Sequence, residues 1–175
     1  MIVTKLIRTE SVLMIITFIM NWKWFILSIM MMGILFISSH TPYQQQDMKP
    51  FFRDYVTLTK ENLPQVEFTY DGTLVTPSQP YQYVEFFIRK GAHVASFGLL
   101  AFLSVMAFRE RGQHQHLLLG SFTAFAYALF DEFHQSLVKG RTGHLIDVLI
   151  PDTSGIFLAA FLFTIVQRFK MKKPR

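Results

Sequence analysis

Residues 86–108 read FFIRKGAHVASFGLLAFLSVMAF, and the fold turns on this stretch. As a helix it carries Arg89, Lys90 and His93 in its first two turns, and then no ionisable residue until Arg109. Crossing a bilayer core takes about 20 mostly apolar residues, because lipid offers backbone polar groups no partner and a helix satisfies them internally. Three further blocks of similar character flank this one. They run over residues 22–38 (WKWFILSIMMMGILFIS), from about Leu117 to Phe133, and from about Ile146 to Phe169. Trp22 and Trp24 beside Lys23 make an interfacial anchor for the first. The expected fold is an all-α integral membrane protein with four transmembrane helices. Residues 22–170 form one membrane domain, which leaves little chain for a separate soluble one.

It is the distribution of apolar residues, rather than their total, that supports this reading. The chain is 51% apolar, close to the roughly 45–50% of ordinary soluble domains, but its charges fall between the apolar blocks. A net charge of +5 and a pI near 9.6 could suggest nucleic acid. Yet Arg168, Lys170, Lys172, Lys173 and Arg175 follow directly on the last block, which reads as anchoring beside anionic cytoplasmic lipid. Nothing resembles a nucleic-acid-binding module. With no cysteine, disulfides, thiolate nucleophiles and cysteine-based zinc sites are excluded.

Upstream of Trp22, residues 12–20 are also apolar, so residues 1–21 read in two ways. Either they lead into one long tilted helix, or the native chain starts at Met20, where Met-Asn-Trp-Lys precedes an apolar run. A cleaved signal peptide fits less well, since Ile37-Ser-Ser-His40 lacks an Ala-x-Ala-like site. Residues 40–85 are polar and broken by Pro42, Pro50, Pro64, Pro77 and Pro80. Within them, Phe51 to Asn62 reads as a short amphipathic helix lying on the membrane. Val66 to Thr76 alternates apolar and polar residues around Asp71-Gly72, a two-residue hairpin signal. Together they predict a small extracytoplasmic cap between the first and second spans. The positive-inside rule then places both termini, Arg109 and Arg111 in the cytoplasm, and the cap and the loop between spans three and four outside.

This topology gathers ionisable groups from distant segments into one layer. Arg89, Lys90 and His93 open the second span at its outer end. Asp131, Glu132, His134 and Gln135 close the third there, Asp147 and Asp152 open the fourth, and Arg141 sits in the joining loop. Charges in lipid cost about 2.5–3.5 kcal/mol at mid-membrane, so such groups normally face inward and pair. Arg89 with His93, and Asp131 with Gln135, stand four apart and share a helix face.

These residues also carry a resemblance. Arg89-Lys-Gly-Ala-His93, Phe97-Gly98-Leu99-Leu100, Asp131-Glu132-Phe133-His134-Gln135, Gly140-Arg141 and Asp147-Val-Leu-Ile-Pro-Asp-Thr-Ser-Gly155 resemble the VanZ-like family over about residues 22–170. The resemblance implies a bacterial multi-pass cell-membrane protein, associated with low-level resistance to the glycopeptide teicoplanin and with no established reaction. It implies as motif positions Lys90, His93, Asp131, Glu132, His134, Gln135, Arg141, Asp147, Thr153 and Gly155. The family commonly has about three residues between the two acidic positions of the last motif, whereas four separate Asp147 from Asp152 here. One extra residue turns a helix by about 100°, so the two aspartates keep their alignment only through a local bulge at Pro151.

Three readings of the polar layer stand side by side. Glu132, Asp147, Arg89 and Arg141 could form a structural ion-pair network, since removing one partner of a buried pair typically costs about 3–5 kcal/mol. The layer could instead bind a lipid headgroup, a cell-envelope precursor or a glycopeptide, with Arg141 and Lys90 holding an anionic or amide group. It could also be the centre of an intramembrane enzyme acting on a lipid-linked or cell-wall substrate, with His134 as a general base oriented by Glu132 or Asp131. A transporter is a weaker further reading. A metal centre of His93, Glu132, His134 and Asp147 is conceivable, but Glu132 and His134 stand two apart and point to different helix faces. The reading therefore carries no metal and no cofactor, with membrane lipid as the expected partner. His114 and His116 read as solvated, and His144 as a peripheral contact of the outer loop. The Met30-Met31-Met32 run reads as lipid-facing or packing filler, and Gly91, Gly98, Gly120 and Gly155 as positions of close helix approach.

Overall fold

The computed structural model describes residues 22–109 and 113–171. Among these residues, five helices and one hairpin carry the fold. Helix α1 spans Trp22–His40, and the short α2 spans Lys49–Tyr55, with Pro50 near its start. Strands β1 (Phe68–Tyr70) and β2 (Thr73–Val75) follow, then α3 (Pro80–Ala107) and α4 (Gln113–Leu137). Helix α5 is built of three consecutive pieces: α-helical Leu145–Asp147, a π turn over Val148–Asp152, and α-helical Thr153–Met171. Residues 1–21 and the end of the basic tail, residues 172–175, lie outside the described part.

Helices α1, α3 and α5 are long and apolar enough to cross a membrane. Helix α4 falls outside that group because polar residues crowd both its ends, Gln113-His-Gln-His116 at the start and Asp131, Glu132, His134 and Gln135 in the last turns. The outer surface is far more apolar than that of a water-soluble bundle. Phe122, Phe133, Phe157 and Phe169 point outward, each more than 60% exposed, as befits surfaces that face lipid. The centre holds smaller groups: Ala101, Ala124, Ala128 and Val148 join Leu35, Phe97, Leu100 and Ile156 in one buried cluster.

Small residues let the backbones approach where side chains could not. A Cβ placed on Gly155 would run into the carbonyl of Val94, and one on Gly98 would lie 3.1 Å from the carbonyl oxygen of Gly155. Helices α3 and α5 therefore meet backbone to backbone. Gly120 does the same for α4 against the backbone of Val105. Gly91 does not belong with them, for a Cβ there would meet nothing within 4 Å.

The hairpin forms where the alternation places it. Phe68 pairs with Val75 and Tyr70 with Thr73, and Asp71 and Gly72 take φ of 47° and 76°, the positive values a tight two-residue turn requires. The amphipathic helix is shorter than its expected Phe51–Asn62. It ends at Tyr55, and a separate 3-10 turn covers Lys60–Asn62. The β-branched Val56, Thr57 and Thr59 between them favour extended backbone. At the far end of the bundle His116 is buried, edge-on to Phe163 at 5.4 Å, rather than solvated.

Candidate functional site

A cavity of about 330 Å³ opens between α1, α3, α4 and the loop that enters α5. Helix α3 delivers Arg89, Lys90 and His93 to its wall, α4 delivers Asp131 and Gln135, the loop delivers Arg141 and His144, and α5 delivers Asp147. Arg89, Lys90 and His93 lie well inside α3, which starts earlier than the apolar block, at Pro80, and the layer exists only once the helices and the loop are assembled.

Asp147 and Asp152 both reach α3, although five positions separate them. Lys90 Nζ meets Asp147 Oδ1 at 2.5 Å, and Tyr70 of the hairpin donates to the same oxygen at 2.6 Å. His93 Nδ1 stands 2.8 Å from Asp152 Oδ1. The π turn over Val148–Asp152 makes this possible, because its wider turn takes up the extra residue that would otherwise rotate one aspartate away from the other. Thr153 Oγ1 donates at 2.7 Å to the Val148 carbonyl, which also accepts the Thr153 backbone N–H across the π turn. Asp152 is fully buried, and its Oδ2 has no hydrogen-bond partner among the described residues.

On α4, Asp131 and Gln135 do share a face. Ser39 of α1 donates to Asp131 Oδ1 at 2.5 Å, and Gln135 Nε2 donates to Oδ2 at 2.8 Å. Glu132 points elsewhere and accepts the backbone N–H of His144 at 2.7 Å. Gly143 permits that approach, since a Cβ there would strike the Glu132 carbonyl. The His144 ring pairs with Asp71 and reaches Thr142 Oγ1 at 2.6 Å, so the loop is tied to the hairpin.

Arg141 is held as a cap. Its guanidinium donates to the carbonyls of Ser38 and Thr41 and to Gln46 Oε1, each at 3.0 Å, and to Gln135 Oε1 at 3.1 Å. Burial first, and then the charge of Arg89, lower its pKa. Burial likewise raises the pKa of the Tyr70 phenol, followed by its hydrogen bond to Asp147 and the charge there.

The pairing differs from the expected network of Glu132, Asp147, Arg89 and Arg141. Asp147 takes Lys90, and Arg89 takes Glu85 at 3.1 Å. Arg141 holds backbone carbonyls, and Glu132 holds a loop N–H. His134 stands apart from the cavity altogether, stacked on Phe36 at 4.2 Å and on His40 at 5.5 Å. Its ring packs against α1 rather than beside Glu132, which accepts the His144 N–H instead, so Glu132 does not orient it as a base.

Several residues of the layer carry no obvious mark in the sequence. Glu85 is buried and gathers Arg89, Lys49 at 3.3 Å and the Tyr43 hydroxyl at 3.1 Å. Its spacing of four from Arg89 was the signal available. For Lys49 burial works against the charged form, but Tyr43, Asp47 and Glu85 outweigh it and hold the pKa raised. Tyr70 and Ser39 reach the aspartates only through the tertiary fold.

A mostly helical membrane bundle whose ionisable groups converge at one end is the class that this fold and layer define. Within it, the chain belongs to the VanZ/LLP1 family, whose model matches residues 24–167. No curated protein and no solved structure matches the chain.

Proposed function

We propose that the chain is a four-span protein of the cell membrane whose polar cavity faces the extracytoplasmic side and holds an anionic headgroup or envelope-active molecule. Helix α4 supplies the fourth span, packed along α3. Both termini lie in the cytoplasm, consistent with Arg109, Arg111 and the basic tail. The hairpin and α2 then form an outer cap.

The observation that carries this reading is the convergence of three cations, Arg89, Lys90 and Arg141, on one cavity at the bundle's end. Ionisable groups at membrane depth face an interior or a water-filled space because lipid excludes them. A guanidinium prefers the planar, multidentate contacts that phosphate and carboxylate offer. Arg141 is already oriented by its carbonyl partners, so little rotamer freedom is left to lose on binding. In the cell such binding modulates the envelope, and low-level teicoplanin resistance is the phenotype it predicts.

The test is teicoplanin and vancomycin susceptibility of a sensitive Gram-positive host making the protein, beside a Glu132→Gln/Arg141→Ala version at equal abundance. The expected result is a teicoplanin-selective shift that the double variant loses. No shift with either drug at confirmed membrane expression overturns the resistance reading.

A second reading places a reaction in the same cavity, on a lipid-linked or cell-wall substrate. The contact that favours it is the His93–Asp152 pair, a carboxylate-oriented imidazole on the cavity wall.

A further inference from the structure

We propose that His93, Glu132 and Asp147 bind a divalent transition metal of the Zn²⁺ or Mn²⁺ kind at the wall of the cavity. One ligand atom from each of the three lies within 4.8 Å of the others. They come from α3, α4 and α5, so no sequence spacing announces the site. Of the four residues weighed as a metal centre from the sequence, His134 diverges from Glu132 along α4, and the structure turns it away onto Phe36.

The surroundings have the form that metal sites need beyond their ligands. A metal-binding imidazole usually gives its other ring nitrogen to a carboxylate, which fixes the tautomer and raises ligand basicity. His93 does this, with Nδ1 on Asp152 Oδ1 at 2.8 Å, which leaves Nε2 as the ligating nitrogen. Glu132 spends Oε2 on the His144 N–H at 2.7 Å, whereas Oε1 has only a long contact of 3.5 Å with Gln135. Asp147 engages Lys90 and Tyr70 through Oδ1 alone, so Oδ2 remains to ligate.

Charge gives a second, independent argument. Glu132, Asp147 and Asp152 are all buried, and among the described residues the ammonium in contact with them is Lys90. Asp152 Oδ2 is buried and has no hydrogen-bond partner among the described residues. Uncompensated buried carboxylates are strongly disfavoured, and a dication balances the excess that Lys90 leaves. One imidazole with two carboxylates suits Zn²⁺ or Mn²⁺ rather than a thiophilic ion. Metal–ligand bonds of about 2.0–2.2 Å set tetrahedral donors about 3.4 Å apart, so side-chain rotations of about an ångström close the triad. His93 and Asp147 line the cavity, so an ion held by them stands at its wall.

This site stands independently of the headgroup reading, and metal can bind whether or not any drug phenotype exists. The experiment uses the full chain in detergent, stripped with chelator and titrated with Zn²⁺, Mn²⁺ or Co²⁺ alone. Calorimetry gives stoichiometry, and the visible Co²⁺ spectrum reports the ligand field. One ion per chain is expected. His93→Ala and Glu132→Gln should weaken binding at least 100-fold, and Asp152→Asn, which acts through His93, about 10- to 100-fold. His134→Phe, outside the triad, should leave it unchanged. If the triad variants do not fold, the wild-type titration decides by itself. Wild-type protein that takes up none of the three ions at millimolar concentration overturns the proposal. So does binding that folded His93→Ala and Glu132→Gln leave undiminished.

Discussion

Helices α1 and α5 flank the same core but are attached to it differently. Helix α5 meets α3 through glycine, backbone on backbone, and two side-chain pairs, Lys90–Asp147 and His93–Asp152, bridge the same seam. Helix α1 buries only 11% of its apolar window. It is held by Leu35, by the ring contacts of Phe36 with His134 and Trp24 with Phe102, and by polar contacts: Ser28 with Ser104 at 2.9 Å, the Tyr127 hydroxyl donating to the Met32 carbonyl at 2.5 Å, and Ser39 with Asp131. In lipid there is no hydrophobic force between helices, so close packing and interhelical hydrogen bonds set their association. The α3–α5 seam uses both and α1 mostly the second.

Substitutions should therefore rank by the seam they touch. Gly155→Val drives a branched side chain into the Val94 carbonyl, where no flexible side chain can give way. It should cost about 3 kcal/mol, seen as a much lower thermal midpoint in detergent and reduced abundance. A midpoint within a degree or two of wild type would show that α5 slides freely on α3. Lys90→Met strands the buried Asp147 carboxylate. Breaking a buried pair costs about 3–5 kcal/mol, but Lys90 is 23% exposed, so about 2 kcal/mol is expected, largely restored in Lys90→Arg. Ser28→Ala removes one hydroxyl pair from α1 and should lower stability by only about 0.6 kcal/mol, a typical value for such bonds in membranes. A loss as large as that of Lys90→Met would mean that α1 is seated as firmly as α5. Gly33→Ala on α1 meets nothing within 4 Å and should leave the midpoint unchanged or raise it by up to about 1 kcal/mol.

The same contrast explains what could be read in advance. Apolar block length marked α1, α3 and α5, and the Asp71-Gly72 signal marked the hairpin, because both depend on local chemistry. Convergence of Arg89, Lys90, His93, Asp131, Gln135, Arg141 and Asp147 on one end followed from topology. Pairing did not follow. Asp147 takes Lys90 rather than an arginine because the orientation of α5 depends on a π turn that spacing alone could only suggest as a bulge. His134 fits a helical motif yet faces Phe36, since a two-residue step from Glu132 carries it round the helix. His116 looked like a turn residue and is buried because α5 passes beside it with Phe163.

The π turn at Val148–Asp152 also works as a phase slip. A helix is a ruler on which every position fixes the bearing of every other, and one surplus residue resets the bearing between two stretches of the same rod. The stretch after the slip keeps the angular setting that Gly155 needs against Val94. The stub before it, Leu145–Asp147, takes its setting from Lys90 and Tyr70 instead. The mouth of the bundle and its trunk can thus accept substitutions separately, and the link between them is a few residues around Pro151.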